Sequence, residues 1–263
     1  MKFCLLHFAS AMIVMHLTTA YGADGKVRSR PSCSVIRSAT PSQTIRRSGL
    51  FVCGFSSNSS MYLLDPDTGR LQEIGRTGYE VTDMAVSGNR LYGISFEQFF
   101  EIDAATGRAS SVRSHGLSGL NALVAIPGDS DGFYAASWIA EDSECGAAFA
   151  RIDRRTGRAT IVGYLGTGLS SAGDLVFHNG QLYAALKYRG SDTTFWAVVD
   201  PVTGKAQILA DTGIRDLWAL EIRDGRMFGA TGHGSIVEIE HTTGSCRILS
   251  SAGIVAAGMA SVQ

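Results

Sequence analysis

The chain has 263 residues, of which 45% are hydrophobic and 18% are charged, a composition that excludes a disordered protein and allows one large core or two modest domains. Its formal net charge is −1, so bulk electrostatics favours neither nucleic acid nor an anionic membrane as a partner. Glycine is abundant, with 31 residues, and proline is scarce, with 5, which suits many tight turns between short strands.

The first segment has the composition of a secretory signal peptide. Lys2 supplies a positive charge, residues 3–17 are mostly apolar, and the small residues that follow offer cleavage after Ala20 or Gly22. The apolar run is shorter than the roughly 20 residues that a membrane-spanning helix needs. We therefore predict a signal peptide at residues 1–22 and a secreted or periplasmic protein with no membrane association once that peptide is removed.

Residues 23–49 form a second zone, which is basic and rich in Ser and Thr. Six basic residues stand against Asp24 alone, and no apolar periodicity is present. This composition is typical of a flexible arm. We interpret the arm as a solvated leader; the alternative is an arm that binds a polyanion.

From Leu50 onward, three short elements each occur five times along the chain, at intervals typical of a repeat protein. The first element is Asp or Glu followed by x-x-Thr-Gly, at 65–69, 103–107, 153–157, 200–204 and 240–244. The second is an alternating apolar segment that opens at Leu50, Leu91, Phe133, Leu182 and Met227. The third precedes the second and contains Asp83, Leu123, Asp174, Leu220 and Met259.

These elements predict a unit of four antiparallel strands, A to D, represented by residues 83–87, 91–95, 98–103 and 108–113. In the Asp/Glu-x-x-Thr-Gly element the carboxylate accepts local backbone N–H groups and the glycine supplies a positive φ, which makes a turn between strands C and D. Five such units, with A strands beginning near Asp83, Asn121, Asp174, Leu217 and Val255, predict an all-β fold, a five-bladed β-propeller over residues 50–263.

The order of strands also predicts how the ring closes. The chain enters at a B strand, beginning at Leu50, and leaves on an A strand at residues 255–262. The last A strand therefore joins the first three strands in one blade, which removes two open sheet edges. The alternative, a linear stack of sheets, leaves both edges exposed.

The Asp/Glu-x-x-Thr-Gly repeats resemble those of quinoprotein-type and related secreted bacterial propellers, over residues 50–263. The quinoprotein repeat carries a Trp shortly after the Thr-Gly, where this chain has Glu73-Ile-Gly in its first repeat, and the quinoprotein dehydrogenases have eight blades. The chain is also similar to plant-type glutaminyl cyclotransferases in size, secretion and five-bladed form, without their Glu-rich motifs. The resemblance implies a propeller fold and no quinone, and we predict no cofactor.

Motifs of known catalytic chemistry are missing from the sequence. Two Asp-Thr-Gly triplets, at 67–69 and 211–213, match the triplet of aspartic proteases, but one is a repeat turn and the other falls between strands D and A, so they are not symmetry mates. No pair of histidines has the spacing of a metal site on a helix. We predict no metal site, and leave open a divalent cation at the mouth of the central channel.

Four cysteines follow the signal peptide, at positions 33, 53, 145 and 246. An even number in an exported protein permits two disulfides, with three possible connectivities. Cys53 lies in the middle of a B strand and equally suits a small buried apolar residue. The pair that we predict is Cys33 with Cys246, which would tether the arm to an outer D strand.

The propeller predicts where a ligand would bind. The D–A and B–C loops emerge on one face, which we call the loop face, and the A–B and C–D turns emerge on the other, the turn face. The longest loops are predicted at 138–146 and 163–173. The candidate ligand-binding residues are the polar and aromatic residues of the loop face: Asp83, His115, Trp138, Asp174, Tyr188, Arg189, Arg215, Asp216 and His233.

Asp83 and Asp174 are the sharpest of these candidates, because they share a position at the start of strand A that Ala122, Ala219 and Gly258 occupy in the other blades. The alternative interpretation is that both carboxyls hydrogen-bond the backbone of the preceding loop. The regular repeats and the missing motifs favour a monomeric binding or scaffold module for a small polar ligand or a protein partner. A small hydrolase, lyase or cyclotransferase is the alternative, and it requires several acidic residues at one channel mouth.

Overall fold

The computed structural model describes residues 49–140 and 144–261. In these ranges the backbone forms strands, turns and loops, and the strands assemble into five four-stranded antiparallel sheets. The predicted signal peptide, and the predicted arm up to residue 48, lie outside the described residues. The five sheets are the blades of a β-propeller, as the repeats predict.

In chain order the strands of the described residues are β1 (Leu50–Gly54), β2 (Ser60–Leu64), β3 (Leu71–Arg76), β4 (Asp83–Ser87), β5 (Arg90–Ile94), β6 (Gln98–Ile102), β7 (Ala109–Ser114), β8 (Leu120–Ala125), β9 (Gly132–Ser137), β10 (Ala148–Asp153), β11 (Ala159–Tyr164), β12 (Leu169–His178), β13 (Gln181–Tyr188), β14 (Thr193–Val199), β15 (Ala206–Arg215), β16 (Leu217–Arg223), β17 (Arg226–Thr231), β18 (Ser235–Ile239), β19 (Cys246–Ser251) and β20 (Ala256–Ser261). Blade 1 has the order β20-β1-β2-β3, and blades 2 to 5 each consist of four consecutive strands.

The ring closes through β20, the last strand of the chain. It pairs antiparallel with β1, with Leu50 opposite Ser261 and Cys53 opposite Gly258. The inner strands also contact one another in a closed cycle, from β4 through β8, β12 and β16 to β20 and back to β4. The predicted closure is therefore confirmed, and the linear stack is wrong.

The Asp/Glu-x-x-Thr-Gly turns have the predicted chemistry. In blade 2, Oδ1 of Asp103 accepts the N–H of Ala105 at 2.8 Å, and the N–H of Gly107 donates to the carbonyl of Asp103 at 2.7 Å. The φ of Gly107 is +77°, a conformation that favours glycine. The guanidinium of Arg226, beside the A–B turn of blade 5, pairs with Asp67 in the C–D turn of blade 1 at 3.1 Å, which places both kinds of turn on one face.

The hydrophobic core lies between the blades. Five clusters of buried side chains each join residues of two neighbouring blades. Between blades 1 and 2, for example, Phe51 and Met61 pack with Met84 and Phe100. Both faces of each blade are therefore apolar, and the stability of the fold depends on the presence of all five blades.

The loop predicted at 163–173 is much shorter in the structure. Strand β12 begins at Leu169, so that residues 165–168 alone connect β11 to β12. The small residues at 170–173 favour a loop by their composition, but in the structure they belong to strand β12, whose pairing with β13 shifts register between Ser171 and Leu175. They are small because the neighbouring inner strand lies very close: a Cβ at Gly173 would collide with the backbone of Trp218.

The cysteines of the described residues form no disulfide with one another. Cys53 is buried in the interface between blades 1 and 2, where burial raises the pKa of its thiol, so it serves there as a small apolar residue. Cys33 lies outside the described residues, and its pairing with Cys246 stays a prediction.

Candidate functional site

The central channel is surrounded by the five inner strands, β4, β8, β12, β16 and β20. Each inner strand pairs with the next strand of its own blade on one edge, and its other edge faces the channel. Backbone N–H groups on such an edge need partners, because a buried N–H without a hydrogen bond costs free energy. This requirement explains the buried carboxyl groups of the channel.

Asp83 satisfies part of this edge. Its Oδ1 accepts the N–H of Met84 at 2.7 Å, and its Oδ2 accepts the N–H of Leu123, in the inner strand of blade 3, at 2.6 Å. The side chain is fully buried. Asp83 thus joins blade 2 to blade 3 through a carboxyl group.

Asp174 makes the equivalent bridge from blade 4 to blade 5. Its oxygens accept the N–H groups of Leu175 and Leu220, both at 2.6 Å. Burial raises the pKa of both carboxyls well above the usual range, and the nearby charge of Asp174 raises the pKa of Asp83 further.

Glu221, which the sequence did not single out, makes a third bridge, from blade 5 to blade 1. Its oxygens accept the N–H of Ile222 at 2.7 Å and that of Ser261 at 2.8 Å. Burial raises the pKa of its carboxyl to about 8, although both of these hydrogen bonds act in the opposite direction. The three carboxyls together bond six backbone N–H groups.

Asp83, Asp174 and their three small counterparts form a layer across the channel. The residues that precede this layer line a cavity on the loop face, and those that follow it line a cavity on the turn face. Gly258 belongs to this layer, and a Cβ at that position would collide with the carboxyl of Asp83. The layer therefore separates two channel mouths.

The cavity on the turn face has a volume of about 640 Å³ and is lined by the A–B turns of blades 2 to 4 and by Glu221. Ser261 also lies in its wall. The smaller cavity on the loop face has a volume of about 200 Å³ and a more distinctive lining.

We call this smaller cavity the loop-face mouth. Four aromatic side chains form its walls: Phe55, Phe96, Trp138 and Trp218. The ring centroids of Phe55 and Trp218 are 5.9 Å apart, and those of Phe96 and Trp138 are 6.0 Å apart. The remaining lining residues are Thr82, Asn121, Ser171, Ala172, Gly173, Lys187 and Ala257.

One position of the repeat supplies most of this wall. The fifth residue after the apolar residue that opens strand B is Phe55, Phe96, Trp138, Lys187 and Gly232 in blades 1 to 5. In blade 5 the glycine leaves room for the indole of Trp218, since a Cβ there would lie 2.9 Å from Cζ2 of that ring. Blade 4 alone places a charged side chain at this position.

Two polar atoms beside the mouth have no hydrogen-bond partner among the described residues. They are Oδ1 of Asn121 and Oγ of Ser171, and both are buried. The hydroxyl of Thr82, by contrast, lies 3.2 Å from the carbonyl oxygens of both Ile94 and Leu120. Unpartnered buried polar atoms are rare in folded proteins and call for a specific explanation.

The structure brings one of the predicted ligand-binding residues to the mouth, which is Trp138, and places Asp83 and Asp174 in the layer beneath it. His115 is buried and does not line the mouth. Its Nε2 lies 3.3 Å from the carbonyl oxygen of Ser95, and burial lowers the pKa of its imidazole.

The other predicted residues lie on the loop face outside the mouth. Arg215 pairs with Asp192 at 2.9 Å, and the imidazole of His233 lies 3.3 Å from the carboxyl of Asp216. The ring of Tyr188 packs edge-on against Phe195, and the following residue, Arg189, is exposed. These groups are engaged with one another or with solvent.

Comparison with family models and with curated protein sequences gives no match. Among solved structures, the crystal structure of a nidogen/laminin complex matches with a TM-score of 0.52 at 12% identity, over 80% of this chain and 84% of that one. A protein of unknown function from Bacteroides thetaiotaomicron matches with a TM-score of 0.48 at 14% identity, over 76% of this chain and 56% of that one. The Pan2 WD40 domain of Neurospora crassa matches with a TM-score of 0.44 at 11% identity, over 81% and 68%. At 12% identity, the likeness to the nidogen/laminin structure concerns the fold alone.

A search of the described residues for helices able to cross a membrane finds none.

Proposed function

We propose that this chain is a binding protein whose ligand occupies the loop-face mouth. The observation that carries the proposal is the convergence of four aromatic side chains, from different blades, on one concave site beside two unpartnered polar atoms. Phe55 is 42% exposed and Trp138 is 47% exposed. Aromatic walls with a few convergent polar groups are characteristic of small-molecule sites, and apolar rings of this size are otherwise buried.

An enzymatic role receives less support. It requires carboxyl groups that reach a substrate. The described residues that line the mouth include one charged side chain, which is the ammonium group of Lys187, and no carboxyl group. Asp83 and Asp174 lie below the mouth, and each of their four oxygens already accepts a backbone N–H. These contacts favour a binding module over a hydrolase, lyase or cyclotransferase.

A protein partner is the second candidate, because the exposed apolar surface extends beyond the mouth. Tyr79, Tyr188 and Val255 are 36%, 41% and 41% exposed and also lie on the loop face. Exposed aromatic patches of this kind mark interaction sites. In this case the mouth would receive a side chain of the partner, and the same residues would contribute to binding.

A screen of small molecules by thermal shift tests the proposal, with Trp138→Ala as the site variant. Val202→Ala is the matched control, since Val202 is 80% exposed in a C–D turn on the turn face. A ligand at 100 times its Kd stabilises the fold by about 2.7 kcal/mol. We expect hits whose shift is lost in Trp138→Ala and kept in Val202→Ala; hits that respond equally in both variants would contradict the mouth as the site.

We also propose that the protein is exported, with residues 1–22 as its signal peptide and residues 23–49 as a flexible basic arm. The support is the composition of these segments alone. N-terminal sequencing of the protein from an export-competent host tests this proposal. We expect a mature chain that begins at Tyr21 or Ala23, whereas a chain that retains Lys2 would contradict it.

A further inference from the structure

We infer that the loop-face mouth binds a small, flat organic anion, an aromatic carboxylate with a ring hydroxyl, and that Lys187 is its charge partner. This inference rests on the proposed function and names the ligand class. It begins from the repeat position at which blades 1 to 3 carry Phe55, Phe96 and Trp138, while blade 4 carries Lys187. One cation among aromatic walls matches a ligand with one negative charge on an apolar ring.

Lys187 is available for such a ligand. The residue is half-buried. Of the described residues that line the mouth, Lys187 is the one with a charged side chain. It forms no ion pair with any other described residue. A lysine ammonium group without a counter-ion gains from an anionic partner, because hydrogen bonds between charged groups are the strong ones. A neutral or cationic ligand leaves that ammonium group unpaired.

The polar groups of the mouth favour a hydroxylated aromatic ring over a sugar. A sugar needs several hydrogen-bonding partners, whereas the Thr82 hydroxyl already faces two backbone carbonyls. The buried polar atoms without a partner are Oδ1 of Asn121, which accepts a hydrogen bond, and Oγ of Ser171, which can donate one and accept one. One hydroxyl on the ligand suits this pair of atoms, because it can donate to Asn121 and accept from Ser171.

The volume of the mouth sets the size of the ligand. At about 200 Å³, the cavity is smaller than the roughly 300–1,000 Å³ of sites for drug-sized molecules. The Phe55–Trp218 and Phe96–Trp138 pairs line it, and aromatic rings pack favourably against one another. A single aromatic ring with a carboxylate and a hydroxyl fits these limits.

The experiment measures binding of three probes to the full-length chain: 4-hydroxybenzoate, the neutral 4-hydroxybenzyl alcohol and glucose. Titration calorimetry gives the Kd, and tryptophan fluorescence reports the site, because Trp138 and Trp218 line the mouth while Trp196 is fully buried. We expect 4-hydroxybenzoate to change the fluorescence and to bind at least tenfold more tightly than the alcohol.

Variants of Lys187 isolate the charge. Lys187→Met should weaken binding of 4-hydroxybenzoate at least tenfold and leave binding of the alcohol unchanged, and Lys187→Arg should retain binding of the acid. Lys205→Met is the matched control, because it removes the same charge from an exposed turn on the opposite face and should leave binding of both compounds unchanged.

Four results would overturn the inference. Equal affinity for the acid and the alcohol, or an acid affinity that Lys187→Met does not change, removes the role of the charge. If glucose binds more tightly than 4-hydroxybenzoate and Trp138→Ala abolishes that binding, the mouth remains a binding site but the proposed ligand class is wrong. Absence of binding by all three probes refutes the ligand class as well, and the separate small-molecule screen then decides the proposed function.

Discussion

Replacing Glu221 by glutamine tests the role of the buried carboxyls in the channel. Burial raises the pKa of Glu221 from its ordinary value of 4.5 to about 8. Between these two values the folded protein holds a proton that the unfolded chain has released, so the free energy of unfolding decreases as the pH rises. Below pH 4.5 the carboxyl is protonated in both states and this dependence disappears.

The size of the effect follows from the same two values. A tenfold difference in proton affinity corresponds to about 1.4 kcal/mol. Because Glu221 is half-buried in the wall of the turn-face cavity, solvent weakens the effect, and the carboxyl costs the folded protein on the order of 2–5 kcal/mol of stability by pH 9 relative to pH 4. Glutamine does not titrate, but it offers one oxygen to the two N–H groups of Ile222 and Ser261. Leaving one of them unpaired costs about 1–3 kcal/mol at every pH.

The assay is urea unfolding, followed by tryptophan fluorescence, at pH 5 to 9. We expect Glu221→Gln to be less stable than the wild-type protein at pH 5 and equally or more stable at pH 9. Glu73→Gln, at an exposed position on the outer strand β3, is the matched control and should differ from wild type by a constant amount. A difference between Glu221→Gln and wild type that does not change with pH would refute the reasoning.

Three further predictions concern the fold. Deleting residues 256–263 removes β20 and exposes the edge of β1, so we expect an insoluble or aggregated product, and a soluble monomer with cooperative melting would contradict the closed ring. Asp83→Asn and Asp174→Asn each remove an acceptor from a bridge between blades, which costs about 1–3 kcal/mol. The melting temperature should therefore fall by several degrees, while binding at the mouth persists. An unchanged melting temperature with lost binding would instead make the carboxyls ligand-binding groups. Removing residues 23–48 should change the melting temperature little unless the predicted disulfide to the arm forms, which peptide mapping without reduction decides.

The fold was predictable because its signals are local. Each Asp/Glu-x-x-Thr-Gly turn carries its own acceptor and its own glycine, as the bonds of Asp103 and the positive φ of Gly107 show, so the strand boundaries follow from the sequence within a residue or two in most blades. Strands β12 and β15 are the exceptions. Strand β15 continues to Arg215 through the Asp-Thr-Gly triplet at 211–213, which the sequence placed between strands D and A, and the start of β12 at Leu169 depends on the neighbouring inner strand. A close packing partner in another blade leaves no signal in the local sequence.

The candidate site was predictable only in part. Counting along the repeats places Asp83 and Asp174 in one layer and identifies Trp138 as a loop-face residue. The same counting applied five residues after the start of strand B also gives Phe55, Phe96 and Lys187, so a signal for these residues is present in the sequence. Their convergence on one mouth, however, requires the diameter and closure of the ring.

The sequence by itself determined the number of blades, the strand that closes the ring and the face on which each loop lies, because turn chemistry and strand alternation act between near neighbours along the chain. The tertiary structure alone decided what the buried carboxyls do and how the mouth is built. Asp83 bonds the N–H of Leu123, 40 residues away, because the inner edges of different blades face one channel. The indole of Trp218 fills the space that Gly232 leaves. Which residue fills such a space depends on how the blades pack together, and the local sequence does not show it.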